Sequence, residues 1–576
     1  MSRLLLLLVA AACGAPARPK LPLVTTAEAS QFVRTGRYDE TIALCRDFAR
    51  VYDAVRCETI GTTLGDRPIV ALRISRGGDR PTIFLQGGIH AGEIDGKDAG
   101  FWFLRDLLDG KVAPGALDAV DVVFVPVINP DGHERFGPNH RPNQRGPAEM
   151  GFRTSSARIN LNRDFVKADT PEIQAVLRVF REHDPIVFVD MHATDGAKFE
   201  HDISVLVAPL AARHDRLDET AQALSRSIQE RLAALGHLPI EFYPSFEKDD
   251  DPASGFAMNE APPRFSQAYA GVRSRIGILV ETHSWRPYKE RVASTYHLLQ
   301  ALFEDAAQHA RAWRAAAHEA EATDANLLGR ELPVVHEHGP HVTELDFRGY
   351  AYEKRESDLS GATWIVYDET KPQIWKVPLY DEVRPKILAR VPREGYIIDG
   401  GFAAQLAPVL DHHGIRYTRI AGEPRVEVEA FRASKVTFQP PFEGRTRVAL
   451  DGTWERESRT LERGAIFVSL RQPNVRLIVH LMDPAAPDSF AQWGFVTPAF
   501  ERKEYMEAYV IEEEARKMIA ADPSLRAQFD AAVAADPELA QSPRNRLEWF
   551  YRRHPAWDER YNLLPIYRSD AVVTGR

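Results

Sequence analysis

Between Ile69 and Thr282 the chain alternates two textures. Short unbroken apolar runs, IVALRI (69–74), TIFLQGGI (82–89), VDVVFVPVI (120–128), PIVFVDM (185–191), ISVLVA (203–208) and IGILVE (276–281), are separated by stretches such as AGFWFLRDLL (99–108) and ETAQALSRSIQERLAAL (219–235), in which apolar residues recur every three or four positions. The first kind predicts strands buried on both faces and the second amphipathic helices, so the pattern predicts an α/β domain whose sheet is covered on both sides. Residues 289–323 predict one long closing helix. From about 330 to 500, β-branched and aromatic residues broken by Pro and Gly predict a β-rich region, and FERKEYMEAYVIEEEARKMIAADPSL with RLEWFYRR predicts a helical tail. The expected organisation is an α/β domain over 25–325, a β-rich accessory region over 326–500 and a helical C-terminal region over 501–576.

The first 17 residues, MSRLLLLLVAAACGAPA, stand apart. One Arg, an apolar run too short to cross a bilayer, and small residues form the layout of a secretory signal, so an exported protein is expected: periplasmic, outer-membrane-attached or secreted. The run ends in AAAC, and two outcomes stay open, lipidation at Cys13 or cleavage after Ala17. A lipid on Cys13 would be the only membrane attachment. Cys45 and Cys57 are then either bridged, as an oxidising compartment allows, or two buried thiols. A formal net charge of -10 over 576 residues carries no basic footprint, which excludes nucleic acid as an expected partner.

Candidate chemistry collects where the apolar runs end. His90 follows TIFLQGGI, His192 follows PIVFVDM, and Glu281 closes IGILVE. Ligands gather outside the carboxyl ends of strands in open α/β sheets. Two histidines and a carboxylate form a zinc donor set with a fourth position open, and the three-residue spacing of His90 and Glu93 lets one turn aim both at a single ion. HxxE alone decides little, because it recurs as His318/Glu321 in the long helix and as His341/Glu344 in a loop, both read as solvated surface. HEHGPH (336–341) reads as a surface loop flanked by Pro and Gly. His412 and His413 sit at a helix end, where cations suit the dipole. EEEAR near Glu512 reads as a solvated helix face.

The order of motifs narrows the reading. HAGE (90–93), NPDG (129–132), LNRD (161–164), DMH ending at His192, and LVETH containing Glu281 together closely resemble the zinc carboxypeptidases of the carboxypeptidase A type, over roughly residues 30–320. The resemblance implies an α/β/α sandwich with a mixed sheet, one Zn2+ per chain held by His90, Glu93 and His192, and peptide substrates; the expected export makes these peptides outside the inner membrane, cell-wall stem peptides among them. It implies that Glu281 is the general base and acid acting on a zinc-activated water. It implies that Asn162 and Arg163 grip the substrate's terminal carboxylate, a task that suits a planar guanidinium fork. For the arginine that stabilises the oxyanion the assignment is Arg153, with Arg141 and Arg145 as competitors. Tyr269 is assigned as the mobile tyrosine over the substrate carboxylate. Two further readings stay in play: a zinc amidohydrolase or deacylase of the aspartoacylase type, and a catalytically silent binding protein.

Overall fold

The computed structural model describes residues 21–194, 196–209 and 214–573. The leader and Cys13 lie outside them. The chain divides into two compact units.

The first unit runs through Arg390 and takes in Val409–Ile415 and Gln472–Leu481. Its strands are β1 (Val55–Thr62), β2 (Pro68–Ile74), β3 (Thr82–Gly87), β4 (Asp121–Val125), β5 (Val187–Thr194), β6 (Ile203–Ala208), β7 (Pro239–Ile240), β8 (Phe256–Ala257) and β9 (Ile276–His283). All but β8 form one mixed sheet in the order β1-β2-β4-β3-β5-β9-β6-β7. Pairing is parallel from β4 through β3 and β5 to β9, and antiparallel where β6 joins β9. Every residue of β3, β5, β6 and β9 is buried, as continuous apolar runs require when helices cover both faces. On one face, Ile83, Leu85, Val187 and Val189 pack with Phe101 and Phe103 of helix Asp95–Leu108 and Leu299 and Phe303 of helix Tyr288–Thr323. On the other, Phe84 and Phe188 meet Phe180 of helix Pro171–His183, with Phe165 and Tyr269 closing the cluster. Each such ring contributes roughly 1.5–3 kcal/mol by leaving water. The expected mixed α/β/α sandwich is what the chain forms.

Two covalent or polar ties position the strand ends. Cys45, on helix Tyr38–Val51, is bridged to Cys57 on β1, with Cα atoms 5.4 Å apart. Arg291, fully buried, donates from Nε to Asp95 Oδ2 at 2.9 Å, and its remaining N–H groups reach the carbonyls of Arg145, Gly146 and Arg286 at 2.7–2.9 Å. Thr282 donates to the same Asp95 carboxylate at 2.6 Å. A buried charge is tolerated when paired and fully hydrogen-bonded, and here one guanidinium ties the end of β9 to the loop around Arg145.

After the long helix the first unit continues with β10 (Glu331–His338), β11 (Thr343–Glu356), β12 (Thr363–Tyr380) and β13 (Val383–Arg390). β10 pairs with β13, while β11 and β12 form a long hairpin whose second strand takes β8 alongside in parallel. HEHGPH is therefore not wholly a loop: His336–His338 end a strand, and the exposed His341 binds Asp381. His413 ends helix Gly400–His413 as expected but carries no charge for its dipole. It is buried, with Nε2 2.8 Å from the Val166 carbonyl, and burial pushes it down to about 3.

The second unit comprises Val391–Pro408, Arg416–Arg471 and Met482–Arg576. Its sheet of six strands contains the long pair Arg425–Phe442 and Arg445–Thr460, over a core that includes Ile397, Val428, Phe467 and Tyr567. The helical tail is present as Ala508–Ala521, Ser524–Ala535 and Pro543–Tyr551, but its last segment, Ile566–Ser569, is a strand of that sheet. Among the described residues, no helix is long and apolar enough to cross a membrane.

Candidate metal centre and cleft

His90 and Glu93 lie in the turn between β3 and helix Asp95–Leu108. The Glu93 N–H donates to the His90 carbonyl at 2.9 Å, folding the two side chains toward one point. Gly92 permits the turn to pack: a Cβ there would stand 2.6 Å from Arg141 Cγ and 2.7 Å from the Gly151 carbonyl oxygen. His192 projects from β5. One ligand atom from each of His90, Glu93 and His192 can be chosen so that all lie within 4.8 Å of one another, and all three residues are buried.

The hydrogen bonds around the rings say what the trio is built for. His90 Nε2 is 3.0 Å from Asn160 Oδ1, and that oxygen also accepts the Asn162 N–H at 3.0 Å, which fixes the amide's orientation. Nε2 must therefore carry the proton. Burial pushes His90 down to about 4, so the ring is neutral and Nδ1 presents a bare lone pair. That Nδ1 is buried without a hydrogen-bond partner, 3.0 Å from Glu93 Oε1. Two electron-rich atoms facing each other in the interior call for a cation between them. His192 repeats the design: Nε2 meets Asp190 Oδ2 at 2.7 Å and Nδ1 faces Glu93 Oε2 at 3.0 Å. Against the cost of burial, the Asp190 carboxylate raises His192 well above the usual imidazole range. Glu93 lies well below the carboxylate range although burial opposes ionisation, held there by the Arg141 guanidinium and by His192, each 3.0 Å away. Two imidazoles with bare or proton-exchangeable Nδ1 atoms, outer acceptors on both Nε2 atoms and an ionised carboxylate fit Zn2+.

Beside the trio opens a cleft of about 540 Å3, lined by His90, Arg153, Asn162, Arg163 and Glu281 among others. Glu281 is the register partner of His192 across the parallel β5/β9 pair. Side chains paired in this way point to one face. On the same face, Leu206 stands opposite Leu279, and with Ala208 they give the cleft an apolar wall. Arg163 lies with its guanidinium 4.0 Å from the centre of the Phe265 ring, a cation–π contact, and Nη1 donates to the Asn162 carbonyl at 2.8 Å. The Asn162 Oδ1 accepts the Ser266 N–H at 3.0 Å, which leaves the amide's Nδ2 end as a donor.

The three competing arginines separate. Arg153 lines the cleft, its side chain 37% exposed, with Nη1 3.3 Å from Glu93 Oε1. Arg141 is buried behind it, 3.0 Å from the same oxygen. Arg145 turns away to the Glu369 carboxylate at 2.6 Å.

Tyr269 is not brought to the cleft. It lies on the inward face of helix Ser266–Val272, fully buried between Phe165 and Phe180, with its hydroxyl 2.9 Å from His413 Nδ1. The tyrosine that lines the cleft is Tyr243, 39% exposed. Sequence reasoning also passed over Asp190 and Asn160, the outer partners of the two histidines. Asp190 had a signal, since two residues before His192 on a strand is the same face; Asn160, in a loop, had none.

Residues 41–237 match the zinc carboxypeptidase family model. Carboxypeptidase A4 of Mus musculus is 36% identical over 102 residues, which is 17% of this chain and 24% of that protein. Carboxypeptidase 2 of Trichophyton equinum is 20% identical over 441 residues, 72% of this chain and 74% of that protein. The chain thus spans about a quarter or less of the length of the mammalian relatives it matches. Among solved structures, the metallo-carboxypeptidase from Pseudomonas aeruginosa in complex with (2-guanidinoethylmercapto)succinic acid is similar at 18% identity and a TM-score of 0.35, covering 47% of this chain and 69% of that one.

Proposed function

We propose that the chain, whose residues 41–237 match the zinc carboxypeptidase family model, is a zinc-dependent metallocarboxypeptidase that releases C-terminal residues from peptides. The observation that carries the reading is the buried His90–Glu93–His192 donor set opening onto a cleft that also holds Glu281, Asn162 and Arg163. Bound by that donor set, zinc supplies Lewis acidity at the scissile carbonyl.

The chain's own groups do the rest. Asn162 and Arg163 bind the terminal carboxylate: the Asn162 amide is pinned at its oxygen end, and Arg163 is steadied by Phe265, so both present donors in a fixed orientation. Glu281 takes a proton from the attacking water and gives it to the departing amine. Arg153, at the cleft wall beside His90, donates to the carbonyl oxygen as negative charge develops there. The apolar wall of Leu206, Ala208 and Leu279 keeps part of the cleft dry, which strengthens each of these contacts.

The bridge between Cys45 and Cys57 and the leader-like residues 1–17 support an extracytoplasmic site of action, periplasmic, outer-membrane-attached through Cys13, or secreted. Substrates are then peptides outside the inner membrane, cell-wall stem peptides included.

Arg163→Ala tests the carboxylate grip. Loss of a charge-assisted contact to an ionised group costs about 1.5–3 kcal/mol, or roughly 10- to 150-fold in kcat/KM on a peptide with a free C-terminus. The variant should keep its zinc. Steady-state kinetics beside metal analysis checks both; an unchanged kcat/KM would remove Arg163 from the substrate site.

A further inference from the structure

The hairpin β11–β12 belongs to none of the motifs that carry the family match, yet it holds segments that surround the site. The first hold is polar. β12 carries a three-residue bulge: Ala351 pairs with Asp368 and Tyr350 with Pro372, so Glu369, Thr370 and Lys371 have no partners in the ladder. Bulges re-aim side chains. This one delivers Glu369 to Arg145, whose Nη2 donates to both carboxylate oxygens at 2.6 Å, and to Lys198, whose Nζ donates at 2.7 Å. Arg145 ends the loop that begins with Arg141, the buried partner of Glu93. Lys198 follows the end of β5, six residues beyond His192, and the next residues are stitched to β11: Phe199 bridges Gly349, and the Glu200 N–H donates to the Arg348 carbonyl at 2.9 Å.

The second hold is apolar. Residues 241–265 supply Tyr243, Ser245, Asn259, Glu260, Arg264 and Phe265 to the cleft, and the segment has little regular structure besides β8. β8 is paired with Leu379 and Tyr380 of β12, and the Met258 N–H donates to the Tyr380 carbonyl at 2.8 Å. Phe256 packs on Phe347 with ring centres 4.5 Å apart, and Phe347 stacks on Trp375 at 5.6 Å. Gly255, at φ +73°, lets the strands meet, since a Cβ there would stand 1.9 Å from the Pro378 carbonyl oxygen. Loops with few contacts of their own open most easily. An ordered binding surface on such a loop needs an outside support, which lowers the ordering cost of binding.

We propose that the β11–β12 hairpin is a positioning element of the substrate site, with Glu369 fixing the 141–146 and 196–201 segments and Phe347 with Trp375 fixing the 241–265 loop. The proposal rests on the carboxypeptidase reading for its kinetic consequence and on the hairpin contacts for its structural one.

Phe347→Ala and Glu369→Gln separate the two. Neither residue lines the cleft. Each variant is expected to raise KM for a short peptide with a free C-terminus about tenfold, with kcat within about twofold, the signature of lost binding rather than lost chemistry. Zinc content should stay at the wild-type level. Hydrogen exchange should quicken in 241–260 for Phe347→Ala and in 141–146 and 196–201 for Glu369→Gln, while β3, β5 and β9 keep their protection. Faster exchange with an unchanged KM overturns the proposal, because the hairpin then serves stability alone; so does unchanged exchange in both variants. If the wild type cleaves no peptide, the carboxypeptidase reading falls while the exchange arm still decides whether the hairpin orders these segments. Glu369→Gln, at a partly exposed pair, keeps the test available where Phe347→Ala is too unstable to purify.

Discussion

Glu281→Gln is expected to hold its full complement of zinc while turnover falls by about 10²- to 10⁴-fold, the usual worth of general acid/base assistance. Two structural facts separate the effects. Glu281 is outside the donor set of His90, Glu93 and His192, so the metal has no need of it. It is nevertheless the register partner of His192 and lines the cleft with His90, which puts a proton acceptor within the reaction space. Glutamine keeps the shape and the hydrogen-bonding reach but cannot take up a proton. Since the same carboxylate is proposed to serve both the attacking water and the departing amine, no second group in the proposed mechanism takes over either task. Metal analysis and steady-state kinetics on one preparation check this, and wild-type turnover in the zinc-loaded variant would strike Glu281 from the mechanism.

His192→Ala is expected to have the larger effect on the metal. Losing an outer partner of a ligand typically costs about 10- to 100-fold in metal affinity, and removing the ligand itself should exceed that. The variant also strips the shared cation from two buried carboxylates, Asp190 at 2.7 Å and Glu93 at 3.0 Å. Breaking a buried pair costs on the order of 3–5 kcal/mol, so the metal-free variant should unfold at a lower temperature than metal-free wild type. Equilibrium dialysis against zinc together with thermal unfolding measures both. Wild-type zinc affinity in the variant would show that His192 is not a ligand.

The main sheet was legible because its central strands are buried on both faces and so read as continuous apolar runs; each of the six runs contains or overlaps a strand. The histidines and acids were legible because they stand at run ends: His90 and Glu93 in the turn after β3, His192 and Glu281 two residues before the ends of β5 and β9. Other features depend on register between distant segments, which a local pattern does not carry. Tyr269 was assigned to the substrate by its place before Glu281, but helix Ser266–Val272 turns that position inward to Phe165 and His413. Tyr243 reaches the cleft from a loop whose course is set by β12, more than 100 residues later. The same holds for the pairing of Cys45 with Cys57, left open by spacing, and for Ile566–Ser569, whose strand character comes from the sheet it joins rather than from its helical surroundings. Among the arginines, only the three-dimensional structure distinguishes Arg153 at the cleft from Arg141, buried against Glu93, and Arg145, paired with Glu369 of the β11–β12 hairpin.

In the proposed function the cleft beside the metal trio recognises a free peptide C-terminus. The most direct measurement compares two otherwise identical peptides, one ending in a carboxylate and one in a carboxamide, incubated with the zinc-loaded protein and followed by mass spectrometry. Stepwise loss of single C-terminal residues is expected from the first and no cleavage of the second, because amidation removes the negative charge that Asn162 and Arg163, both lining the cleft, are proposed to hold. Equal processing of both peptides, or release of an N-terminal acyl group from an acylated pair, would contradict it and assign the cleft to a deacylase.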